Sequence, residues 1–137
     1  MKIADHQAKA ASIERSLERC SAADYETVIE GAMLAGTHWL NILLHRKGLS
    51  TEERDAMHAE FLPLGERRRL AVVLPDALRA LDEIERLRTL HVRGDMPDGE
   101  RAAVTALDCL ARLRQAVLAA YATPPVESGP EVYRDVP

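Results

Sequence analysis

Arg86, Arg88, His91 and Arg93 fall in one short run, RLRTLHVR, with no acidic residue between Arg86 and Asp95. An imidazole titrates near neutrality and suits proton transfer, and a planar guanidinium matches the oxygens of a phosphate. The run therefore offers a positive corner for an anion. Arg86 and His91 are the groups the run offers for anion contact and proton transfer, and Arg88 and Arg93 are candidate phosphate ligands beside them. Residues five apart on a regular helix lie about 140° from each other, so Arg86 and His91 share a face only if the helix loosens before Gly94. Arg88 and His91, three apart, are better neighbours. A plainer reading stands beside this one: cationic side chains in the last turn of a helix interact favourably with its unpaired carbonyls.

A second polar set sits within Ser21–Gly48. Glu30, Thr37, His38, Asn41 and His45 share a narrow arc of an otherwise apolar helix and form a candidate polar groove. His38 and His45 are seven residues apart, whereas a metal prefers the tighter i, i+4 pair, and no HExxH motif occurs. No metal or other cofactor is expected, and the stripe reads as the wet or interface face of its helix. Arg67, Arg68 and Arg69 could touch phosphate or simply form a solvated helix face. The chain has no glycine-rich phosphate loop and no serine in a nucleophile-elbow context.

These residues must be held by helices built mainly from Leu, Ala, Val and Ile, because aromatics make up only 4% of the 137 residues. That length suits a single domain with a core large enough to need no metal or disulfide staple. A net charge of −4 argues against sequence-independent binding of nucleic acid by the domain as a whole. The first residues lack a continuous apolar stretch of signal type, and Ala32–Leu44 is too short and too interrupted to span a bilayer. Two cysteines, Cys20 and Cys109, both on helical patterns, fit a reduced cytoplasmic protein.

Pro63, Pro75 and Pro97, with Gly48, Gly65, Gly94 and Gly99, punctuate the periodic segments. A first helix is expected over about Ile3–Cys20, with Ile3, His6, Ala10, Ile13, Leu17 and Cys20 on one seam and His6 reaching solvent near the start. The second opens at Ser21, with Asp24 completing an imperfect capping box, and closes at Lys47-Gly48. Gly31 and Gly36 inside it suggest close approach of a neighbouring backbone. A short helix is expected from Ser50 to Phe61, and a brief helical turn over Glu66–Leu74. A further helix starts at Pro75, with Leu74, Leu78, Leu81, Ile84 and Leu87 as the buried face and Asp82–Arg86 and Glu85–Arg88 as surface pairs. The last starts at Asp98 and buries Ala103, Ala106, Leu107, Leu110, Leu113, Val117 and Tyr121. The expected architecture is an all-α antiparallel bundle of four long helices and one short helix over residues 1–121, with an irregular proline-rich tail over 122–137.

Two stretches of the chain resemble the HEPN domains, small helical bundles associated with nucleotide and RNA chemistry in prokaryotic toxin–antitoxin and defence systems. One is AGTHWLNILLHRKGL (Ala35–Leu49), similar to that family's long helix ending in a lysine-glycine-leucine turn, with His58 following. The other is ALDEIERLRTLHVRGD, whose Arg86 and His91 fit the family's arginine, four-to-six residues, histidine motif. The likeness runs over roughly Ile3–Tyr121. It implies a metal-independent ribonuclease site at a homodimer interface, with His91 as general base toward an RNA 2′-hydroxyl and Arg86 on the phosphate. The alternative is a non-catalytic homodimeric helical module that docks another protein.

Overall fold

Five α-helices and no strand make up the described residues, 1–58 and 62–122 of this computed structural model, with the side chain of Tyr121 excepted. They are α1 (Ile3–Leu17), α2 (Tyr25–Arg46), α3 (Leu64–Val73), α4 (Pro75–Leu87) and α5 (Gly99–Ala122). The proline-rich segment from 123 onward lies outside the described residues, as do 59–61.

The second helix is central because it is apolar on most sides. Val28, Ile29, Ala32, Met33, Ala35, Trp39, Leu40, Ile42, Leu43 and Leu44 are all buried along it. It packs against α1, α4 and α5, whose own seams meet it through Leu17, Leu81, Ile84 and Leu113. Its interior glycines make room for side chains rather than for backbone. A Cβ on Gly31 would lie 2.5 Å from Leu17 Cδ2, and one on Gly36 would lie 3.0 Å from Leu81 Cδ1 and 3.2 Å from Leu113 Cδ2. The half-buried Glu14 of α1 ties three helices together, accepting from Trp39 Nε1 (3.1 Å) and from the Arg114 guanidinium.

The boundaries follow local chemistry. Ser21 Oγ accepts from the Ala23 N–H while Asp24 accepts from the Ser21 N–H, a complete capping box that opens a 3₁₀ turn over Ala22–Asp24 ahead of α2. At the other end of α2, Leu49 N–H reaches Leu44 O (2.9 Å) and Gly48 N–H reaches His45 O (3.2 Å), a Schellman closure. Gly48 sits at φ +71°, in the left-handed region that glycine tolerates best. Pro75 is the first residue of α4.

Several expectations need correction. Residues 51–58 form turns and irregular chain rather than a helix, because their backbone and Asp55 are engaged by α2 and α1 as described below. The brief turn before Pro75 is a ten-residue helix, α3. Asp82 pairs with Arg67 and Glu85 with His58, so neither expected surface pair with Arg86 or Arg88 forms. Leu107 is 39% exposed, at the edge of the buried face of α5. No helix among the described residues is long and apolar enough to cross a membrane.

A candidate histidine and aspartate metal site

His6 is 1% exposed, not solvated, and it is the key to the site. Lying on the apolar seam of α1, its ring is carried inward against α2. There it meets His38 and His45, which stand two helical turns apart on one face. The ring centroids are 5.2 Å (His6–His38) and 5.3 Å (His6–His45) apart.

Asp55 completes the group from the loop that follows α2. The Schellman turn at Gly48 folds the chain back beneath His45, and Asn41 then fixes it. Asn41, 1% exposed, donates Nδ2–H to Ala56 O (2.8 Å) and accepts the Ala56 N–H on Oδ1 (2.8 Å). These two hydrogen bonds to one residue hold its neighbour Asp55 at the rings. His6 Nε2 lies 3.0 Å and His45 Nε2 2.8 Å from Asp55 Oδ1, and the amino group of Met1 lies 3.0 Å from Oδ2. Burial alone pushes the Asp55 carboxyl up. The hydrogen bonds from the Met1 amino group, His45 and His6 together outweigh it and hold the carboxyl at about 2. The imidazole of His38 is pushed below its ordinary value, first by burial and then by the neighbouring charges of His6 and Lys9.

The two ring nitrogens that do not face Asp55 are also engaged. His45 Nδ1 is 2.7 Å from Ser50 Oγ, and His6 Nδ1 is 2.9 Å from His38 Nδ1. An ionised carboxylate only accepts, so both Nε2 atoms donate to Asp55, and in the neutral rings the Nδ1 atoms then accept. Loss of the two Nε2 protons to a metal would reverse both tautomers, and Ser50 Oγ and His38 Nδ1 could accept equally well. Each ring thus has an outer hydrogen-bond partner that fixes its orientation, a serine hydroxyl for His45 and an imidazole for His6. His6, His45 and Asp55 each offer one ligand atom, and these atoms lie within 4.8 Å of one another. Ligands about 2.1 Å from a tetrahedral ion are about 3.4 Å apart, so small outward movements of the three groups admit one.

The corner at the end of α4 is built differently from its sequence expectation. Residues Arg88–Arg93 are wound as a π-helix, with Gly94 N–H on Thr89 O (3.0 Å). A Cβ on Gly94 would lie 2.7 Å from Leu90 O, so this close return needs glycine. The loosening brings Arg86 and His91 nearer to one face than a regular helix would, yet the two do not combine. His91 is buried with Nδ1 3.2 Å from Met96 O, whereas Arg86 is exposed and grips Glu83 through Nε (2.9 Å) and Nη2 (2.6 Å). Arg88 Nε donates to Glu30 (2.7 Å), and Arg93 is exposed. The expected groove therefore divides: His38, Asn41 and His45 belong to the histidine site and are mostly covered, while Glu30 belongs to Arg88.

Sequence reasoning placed His38, Asn41 and His45 together but missed His6, Ser50 and Asp55. A histidine on an apolar seam, with two more on the polar stripe of a buried helix, was the available signal. No family model, curated protein or solved structure matches the chain.

Proposed function

We propose that the protein binds one divalent first-row transition ion through His6 Nε2, His45 Nε2 and Asp55, with His38 and Ser50 orienting the two rings. One observation carries this reading: two nearly inaccessible imidazoles converge on a carboxylate while their outer nitrogens are held by separate partners. Two histidines and one carboxylate suit zinc with one further ligand, or ferrous iron with more than one. Equilibrium dialysis of the EDTA-stripped protein against zinc tests it. One ion per chain is expected, and at a hundredfold excess over Kd the linkage adds about 2.7 kcal/mol of stability. His6→Ala, His45→Ala and Asp55→Asn each abolish that gain. Zinc binding unchanged in all three variants, or absent from the wild type, contradicts the reading.

A second reading has one observation of its own, the π-helical turn that carries Arg88, His91 and Arg93 ahead of Gly94. In it the chain is a HEPN-like antiparallel bundle, a cytoplasmic homodimer that contacts RNA or nucleotide through Arg86, Arg88 and Arg93. The burial of His91 and the Arg86–Glu83 pair favour its non-catalytic form, a module that docks a partner protein. Cleavage of RNA in EDTA by the wild type and not by His91→Ala supports the ribonuclease. Equal cleavage, or none by either, removes it.

A further inference from the structure

We propose that the metal keeps a coordination position open to the cavity beside Asp55, and that this position takes the carboxylate of a small organic acid with a short apolar tail. The inference rests on the metal reading above and deepens it.

Three protein ligands leave at least one position on a tetrahedral ion and more on an octahedral one. The fold decides where that position faces. The side chains of His6 and His45 are 2% and 5% exposed, walled by α1 and α2, whereas that of Asp55 is 25% exposed. The cluster is therefore closed on the helix side, and its partly exposed face is at the carboxylate, where Oδ2 also accepts from the Met1 amino group. A cavity of about 410 Å³ meets it there, lined by both Asp55 and Ser50, the two residues that hold His45 from either side. That volume lies within the range of small-molecule sites.

Charge and lining select the occupant. Two neutral imidazoles and one carboxylate leave a divalent ion with a single net positive charge, which an anionic oxygen neutralises. Arg54 and Glu66 both line this cavity, 3.9 Å apart, so their charges offset and the ion itself supplies the attraction for the anionic head. Much of the remaining wall is apolar, from Leu44, Leu49, Met57 and Leu62. An anionic head at the metal and a few methylenes against this wall match both features.

Cobalt(II) in place of the native ion provides the test, because its visible absorption reports coordination number. The full-length protein is stripped with EDTA, loaded with one equivalent of cobalt and titrated with hexanoate. The expected result is a saturable change in the cobalt bands at one hexanoate per chain. Leu49→Trp and Met57→Trp narrow the cavity without touching a ligand. Each is expected to weaken the hexanoate response about tenfold or more, with the cobalt bands in its absence unchanged. Met57 is 71% exposed, so its variant tests the cavity without disturbing the core. Cobalt bands that form normally but do not respond to hexanoate overturn the open position. A response equal in the wild type and both variants overturns the cavity as its location. Failure of the bands to appear at all overturns the metal reading itself, and this proposal with it.

Discussion

Arg86 shows how a residue of the right type can be committed elsewhere. Its two bonds to Glu83 hold that carboxyl below its usual value, the hydrogen bond being the main cause against an opposing effect of burial. Arg86 is exposed and Glu83 partly so, and solvent screening limits the pair to about 0.5 kcal/mol. A depressed carboxylate pKa adds stability above the unfolded value, here 4.5, and loses it as pH falls through the lower folded value. Arg86→Ala is accordingly expected to cost about 0.5 kcal/mol at pH 7 and nothing measurable below that range, as read by urea unfolding at several pH values. A loss that persists undiminished in acid would mean that Arg86 contributes by another route. The spacing of Arg86 and His91 was legible in the sequence. The directions of their side chains were not, because Glu83 three residues away and the Met96 carbonyl five residues on compete for them.

At the scale of elements, the site depends on the return of chain after α2. Lys47-Gly48 signalled the end of that helix, and the Schellman turn with Gly48 at φ +71° bears it out. The following segment, STEERDAMH, carries helix-favouring residues and a serine suited to capping, which is why it reads as a helix. Tertiary contacts override that local preference, since Asn41 occupies both backbone groups of Ala56 and the histidines hold Asp55. Asn41→Leu removes both bonds to Ala56 and leaves its peptide groups without those partners. The expected cost is about 2 kcal/mol in urea unfolding of the metal-free protein. Zinc affinity is expected to fall about tenfold or more beyond that, because Asp55 is no longer positioned. A stability loss with unchanged zinc affinity would show that Asp55 finds the rings without the Asn41 clamp.

Over the whole molecule, the all-helical class and the central place of α2 could be read directly from periodicity, because a helix apolar on most sides has to be surrounded. The histidine site could not, since it joins residue 6 to residues 38, 45 and 55 through contacts that no local pattern encodes. His6 sits at a seam position where an aliphatic side chain would pack without needing partners. Instead three imidazoles and a carboxylate are gathered at one end of the helices, with no buried side-chain nitrogen or oxygen left unpaired among the described residues. Such a network gives little stability over an apolar core of the same shape. Ligand binding is the better account of it. The most direct measurement is anomalous diffraction at the zinc edge from crystals of the zinc-loaded protein. A single peak per chain about 2.1 Å from His6 Nε2, His45 Nε2 and an Asp55 oxygen is the result expected. A fully ordered site with the His6–Asp55–His45 hydrogen bonds intact and the zinc bound elsewhere would contradict it.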